Sequence, residues 1–257
     1  MRFLFKLLLL PITLLAGCSG DSLTSPGQTG NLKISLTDSP ATYEAVNITF
    51  SEISANINED WITVNSEPIT VNLLEWNNGK SIVIGSAQVP AGQYSQIRLI
   101  IDDAEVVVDG QTHKITVPSG VKTGLKLGPE FTVVSGSTYE LVVDFDANRS
   151  IVTTGPPNNP NGYILKPTVR VVPKAITGSI SGVIANPQNS AIAYAIIGMD
   201  TLTSSIVDTT NGSFMLAFLP EGVFTVSVND TTGLSFVTDN VEVIAGFNQN
   251  LGTITLQ

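Results

Sequence analysis

The feature that most limits what this chain can fold into is a two-residue alternation of apolar and polar side chains, cut at short intervals by turn residues. Leu32, Ile34 and Leu36 alternate with Lys33 and Ser35, and Val46, Ile48 and Phe50 alternate with Asn47 and Thr49. A period of two sends one set to each face of a strand. Ile53, Ala55 and Ile57 continue the pattern after a slip in phase, which predicts a bulge or bend near Ser51. Ile97, Leu99 and Ile101 alternate with Arg98 and Asp102, while Ile100 breaks the polar face. In residues 106–117, VVVDGQTHKITV, the Asp109-Gly110 pair tolerates the positive φ of a type I′ turn and predicts a hairpin. Tyr139, Leu141, Val143 and Phe145 share one strand face, with Glu140, Val142, Asp144 and Asp146 on the other. A strand over Tyr163 to Val172 would carry Lys166 and Arg170 on one face, so one of them is expected beside Asp144 or Asp146. No window longer than about ten residues has a helical period. Charged residues make up only 13% of the chain, against abundant Thr, Ser, Asn, Gly and Val, a composition of strands joined by polar turns. The expected fold class is all-β.

A shift in charge divides the chain. From Ala175 to Gln257 there is no Lys or Arg, against six acids, which sets a boundary at Val172-Pro173-Lys174. Short strands are expected beyond it at 180–184, 193–197, 213–218, 224–228, 241–244 and 251–256, separated by Asn186-Pro187, Asn211-Gly212, Glu221-Gly222, Thr232-Gly233 and Ala245-Gly246. Strands at this spacing read as a sandwich. The chain is therefore expected to hold two β-sandwich-like domains in tandem, residues 31–174 and 175–257. One turn device occurs in both: Val89-Pro90-Ala91-Gly92-Gln93-Tyr94 and Leu219-Pro220-Glu221-Gly222-Val223-Phe224 each place a glycine of positive φ before an aromatic that opens the next strand. GPPNNPNG, residues 155–162, holds three prolines and is expected as a surface loop, with a binding loop as the alternative.

Residues 1–17 have the order of a secretory signal peptide: Arg2 and Lys6, an apolar run from Leu7 to Leu15, then small residues. Leu15-Ala16-Gly17-Cys18 resembles the bacterial lipobox, and Cys18 is the only cysteine. The resemblance implies cleavage before Cys18 and lipidation of it, with residues 18–30 as a flexible tether. Ser19 follows the cysteine, and the absence of aspartate there leans to the outer membrane of a Gram-negative bacterium, on either face.

LTDSPATYEAVNITFSEI, VPAGQYSQIRLIID, VPSGVKTGLKL, LVVDFDANRSIV and YILKPTVRVV, in that order, resemble the bacterial lipoprotein domain catalogued as domain-of-unknown-function family 4382, over about residues 31–173. That resemblance implies a secreted or lipid-anchored protein and no particular activity. GSISGVI, DTTNGSFMLAFLPEGVFTVSV and NLGTITL resemble the carboxypeptidase regulatory-like domains, prealbumin-like sandwiches grouped with carbohydrate-binding-like folds, over about 177–257. Gly233-Leu234 stands where those domains usually have Gly-Tyr. The implied role is an accessory module.

The chemical inventory argues against most enzymes. Cleavage before Cys18 leaves ten basic against 22 acidic residues, a formal charge of −12, with none of the clustered Lys and Arg that nucleic acid requires. The one histidine, His113, falls in phase with Ile115 and Val117 on a hairpin strand, and no G-x-S-x-G elbow or zinc ligand set accompanies it. Asp144 and Asp146 lie two apart on one strand, a spacing that a glycan-acting hydrolase with paired carboxylates can use. Asp144-x-Asp146-x-Asn148 also matches the start of a calcium loop, although Arg149 occupies its glycine position. Trp61 and Trp76, both near polar turns, are the candidate ligand-binding aromatics. The function expected is a non-catalytic, lipid-anchored envelope protein presenting a binding or adhesion surface for glycan or protein. The alternatives are a structural subunit of an envelope or fibre assembly, and the hydrolase.

Overall fold

The structure, a computed structural model, describes residues 28–156, 161–187 and 189–257. The signal peptide, Cys18 and most of the tether lie outside the described residues, as does the middle of the proline-rich loop. The first half is built from β1 (Thr29–Ser39), β2 (Ala45–Ile57), β3 (Asp60–Asn65), β4 (Ile69–Asn72), β5 (Ile82–Pro90), β6 (Gly92–Tyr94), β7 (Gln96–Val108), β8 (Gln111–Thr116), β9 (Leu125–Leu127), β10 (Phe131–Val133), β11 (Thr138–Asp146), β12 (Ile151–Thr154), β13 (Gly162–Leu165) and β14 (Val169–Pro173). The second half holds β15 (Thr177–Ile184), β16 (Ala191–Ile197), β17 (Asp200–Ile206), β18 (Ser213–Pro220), β19 (Gly222–Asp230), β20 (Ser235–Val243) and β21 (Asn248–Ile254). Among the described residues no helix is long and apolar enough to cross a membrane.

Among the described residues no sheet is shared between the halves. In the first, a four-stranded sheet runs β14-β11-β1-β5 and an eight-stranded one runs β12-β13-β8-β7-β2-β3, with β4 on β2 and β9 on β7. A short β10-β6 pair completes it. The core is the alternation made physical: Leu32, Ile34 and Leu36 of β1 and Leu141, Val143 and Phe145 of β11 belong to one buried cluster with Val46, Ile48 and Phe50 of β2 and Ile97, Leu99 and Ile101 of β7. In the second half, β18-β15-β21 and β17-β16-β19-β20 enclose a separate cluster around Phe214 and Phe224. The architecture is all-β, two sandwich-like units in tandem.

Local expectations hold where turn chemistry or phase carried them. The β2–β7 register slips on either side of Phe50, between Thr49 and Phe50 and again before Glu52, at the bulge expected near Ser51. Val108 pairs with Gln111 across Asp109 (φ 49°) and Gly110 (φ 70°), the I′ geometry. The two proline–glycine turns are alike: Gly92 and Gly222 have φ of 152° and 155°, and the following Tyr94 and Phe224 are fully buried. The strand expected over Tyr163 to Val172 is instead two, β13 and β14, in different sheets. Pro167 lies in the gap and has no N–H to give to a ladder. Lys166 and Arg170 consequently do not share a strand, yet Arg170 pairs with Asp144 across β14 and β11 as expected.

Candidate functional site

Two places gather the polar side chains singled out by sequence. The first is the seam between the halves. Ser39, Asp144 and Asp146 sit on the second face of the four-stranded sheet, and that face is covered: Asp144 is 5% exposed and Val142 fully buried. The covering elements come from the second half. Arg170 gives one guanidinium N–H to Asp144 Oδ2 (2.6 Å) and another to the carbonyl of Phe218 on β18 (3.0 Å), so one side chain ties both halves. The hydroxyls of Ser39 and Thr203 on β17 lie 3.3 Å apart. Asn78 reaches across from the turn after Trp76; its Oδ1 accepts from the Ser205 hydroxyl (3.0 Å) and the Met215 N–H (2.5 Å). That turn needs Asn78 at φ 55° and Gly79 at φ 80°, and a Cβ on Gly79 would collide with the Met215 thioether.

Electrostatics at the seam follow from burial. Asp38 ends the core-facing row of β1, and its Oδ1 accepts the Ala147 N–H at 2.9 Å. Burial raises its carboxyl well above the usual range; the Ala147 bond opposes this, and the charges of Asp144 and Asp146 add to it. Asp144 is also raised, by burial first, against the lowering pull of Arg170. Asp146 belongs to Arg149, which donates its backbone N–H (2.8 Å) and its Nε (2.6 Å) to the two carboxylate oxygens. No cofactor was expected; of the candidate calcium ligands Asp144, Asp146 and Asn148, both carboxylates bond arginines. No group of three or more acidic, His or Cys side chains suited to a metal occurs among the described residues. The same pairing leaves the hydrolase reading without a free carboxylate pair.

The second place is the outer face of the eight-stranded sheet. Trp61 on β3 pairs with Asn56 of β2, which pairs with Gln96 of β7; in the next row Lys126 of β9, Arg98 of β7 and Ser54 of β2 stand side by side. The Arg98 guanidinium lies 4.3 Å from the Trp61 ring centre and the Lys126 ammonium 5.8 Å from it. Arg98 is held in place by Glu52 (2.7 Å) and the Ser54 hydroxyl (3.1 Å). Trp76, the other expected aromatic, is different: it packs partly buried against the first core, and its carbonyl accepts from the Asp38 N–H and the Thr37 hydroxyl. His113 is exposed on β8, tilted against Tyr163 at 5.4 Å. Sequence reasoning did not assign Arg98, Lys126 or Arg149 to a site, and it named Arg170 only beside Lys166 as a neighbour for the acids. Alternation had marked Arg98 as outward-facing, but nothing local shows that β3 and β9 flank it.

The comparisons bear on the first half most directly. The family model described as "Domain of unknown function (DUF4382)" matches residues 29–167, more than half of the chain. No curated protein matches significantly. Solved structures with similarity include the Bacillus anthracis TIE protein, at 11% identity and a TM-score of 0.24, covering 90% of this chain and 51% of that one. BcpA, the major pilin subunit of Bacillus cereus, is 12% identical with a TM-score of 0.22, covering 89% and 70%. A fimbrial protein from Bacteroides ovatus ATCC 8483 is 11% identical with a TM-score of 0.23, covering 89% and 50%. The chain thus spans about half the length of the first of these.

Proposed function

The chain belongs to the family described as domain of unknown function 4382, and from that premise we propose a non-catalytic envelope protein, anchored by lipid on Cys18, whose Trp61 face binds a glycan or a protein surface. One observation carries the reading: an indole set on the outer face of a sheet, braced by Arg98 and flanked by Lys126, Asn56 and Gln96. Trp and Arg on a flat surface are the side chains that dominate binding interfaces, and bracing lowers the entropy lost on contact. With Arg98 paired to Glu52, Lys126 is the cation the ring's surroundings offer to a ligand. The second half, with its likeness to regulatory-like accessory domains, serves in this reading as a rigid neighbour.

The test is a panel of polysaccharides and envelope extracts presented to the purified protein. Binding is expected, with a loss of at least about tenfold in Trp61→Ala, the size of a modest hot spot. Binding indifferent to Trp61 would overturn the reading. A second reading, assembly into a larger structure, is favoured by exposed apolar side chains on the second half: Val223, Val237, Ile244 and Phe247 are 50–69% exposed. No panel binding, with sedimentation showing concentration-dependent association, would favour it. Anchoring is read separately. Cys18→Ala is expected to lose acylation and to remain uncleaved; a variant still cut before residue 18 would disprove the lipid anchor.

A further inference from the structure

One end of the second sandwich carries large apolar side chains that stay exposed. At that end Thr177 of β15 pairs with Pro220 of β18, and Gly222 of β19 pairs with Val243 of β20. The turn after β20 folds onto it. Gly246 gives its N–H to the Thr177 carbonyl, Ser179 gives its N–H to the Phe247 carbonyl, and Ala245 gives its N–H to the Glu221 carboxylate. These contacts gather Ile176, Val223, Ile244 and Phe247, which are 57, 54, 50 and 69% exposed. Apolar residues exposed singly are ordinary, but four on adjoining segments mark a surface that meets something apolar.

We propose that this end docks on the bilayer that holds the lipid of Cys18, an inference that rests on the reading of Cys18 as lipidated. The length of chain before β1 singles out this occupant. Residues 18–27, even fully extended, span at most about 35 Å before the chain enters β1. From Thr29 the strand runs roughly 13 Å to Lys33. Lys33 and Lys174 share the Glu140 carboxylate, at 3.3 and 3.1 Å, and Lys174 and Phe247 line one cavity. The apolar end is thus within the reach that the anchor allows, and a surface held so close acts at high effective concentration. Apolar contacts of this kind add to acyl chains in holding a protein on a membrane. A second copy is a poorer occupant. Glu242 lies opposite Val223, Glu221 is bonded to the turn beside Ile244, and Asp200 opens the neighbouring β17, against Lys174 alone, so two such ends bring like charges together. The same acids favour a zwitterionic surface over an anionic one. Val237, opposite Ser227, lies further along the sheet and takes no part.

The experiment places the lipidated protein in phosphatidylcholine vesicles. Acylation of Cys18 leaves no other thiol in the chain, so Phe247→Cys or Ile176→Cys carries a single environment-sensitive dye. Thr209→Cys, exposed between β17 and β18 at the opposite end of the sandwich, is the control. Expected is iodide quenching at 247 and 176 about threefold or more weaker than at 209, with brominated lipid quenching the first two dyes only. Val223→Asp combined with Ile244→Asp should return the 247 dye to water, and phosphatidylglycerol in the vesicles should weaken the shielding. Equal iodide quenching at all three positions, with the acyl mass found on Cys18, would overturn the docking and leave the anchor standing. No acyl mass on Cys18 would remove the anchor and the docking together. A 247 dye shielded from iodide but out of reach of brominated lipid would mean that a second copy covers this end, and would overturn the proposal as well.

Discussion

Arg170→Ala is expected to destabilise the protein by about 3–5 kcal/mol, because it strands a buried carboxylate. Asp144 and Arg170 meet at 2.6 Å with side chains only 6% and 21% exposed. Removal of the guanidinium also frees the Phe218 carbonyl, the contact through which β14 holds β18. In thermal unfolding the shift should be on the order of 10 °C for a chain of this size. The loss has a pH signature. Without the cation the Asp144 carboxyl, already raised by burial, rises further, so the ionised form is disfavoured only in the folded protein. The cost is therefore full at neutral pH and fades as pH falls and the acid becomes neutral in both states. A double variant, Asp144→Leu with Arg170→Met, should recover most of the stability, since an apolar pair of similar volume needs no compensation. A loss under about 1 kcal/mol for the single variant would mean that water reaches the pair and that the seam is open.

Phe224→Ala should be comparably damaging, by about 3–5 kcal/mol, but confined to the second half. Its core contains Ala191, Ala193 and Ala195 along β16, and the volume those residues leave is filled by Phe214 and Phe224. An alanine at 224, opposite Val241 of β20, leaves a gap in a core that holds few other large side chains to close it. A half of some eighty residues has little stability in reserve. Calorimetry should show the second half melting ahead of the first, where the wild type gives a closer pair of transitions or one. Tyr94, the equivalent aromatic of the first half, is stacked on Phe131 at 5.1 Å and donates its hydroxyl to the Pro90 carbonyl. The variants thus separate the two cores, and an unchanged melting profile in Phe224→Ala would contradict the packing described.

Strands whose burial is apolar were legible from the sequence; strands whose burial is polar were not. β17 reads Asp-Thr-Leu-Thr-Ser-Ser-Ile, and its buried residues are Thr203 and Ser205, paired with Ser39 and Asn78 of the other half. A hydrophobic pattern cannot announce a strand that buries hydroxyls. β21 begins earlier than expected for a different reason: Asn248, Gln249 and Asn250 pair with β15 through their backbone while their side chains stay exposed, so no alternation marks them. For the seam, charge alternation on β11 located Asp144 and its partner, but two acids on a strand carry no mark of being covered. The contacts that cover it span 164 positions from Ser39 to Thr203 and 127 from Asn78 to Ser205, and no local signal encodes that. Trp61 and Trp76 show the converse: both lie near polar turns, and only the neighbouring strands decide which ring faces outward.

The pairing order has one further consequence. β1 lies parallel to β11, Asn31 against Thr138, and β15 lies parallel to β21, so each half opens with a strand whose partner arrives late. A chain emerging amino end first carries β1 alone on that side until roughly a hundred more residues have followed, and such distant pairings are slow to form. During that interval β1 has only β5 beside it, and the four-stranded sheet is half built. The second half waits for the carboxyl terminus itself. The first half can therefore complete its sheets while the second sandwich still waits for β21 to reach β15.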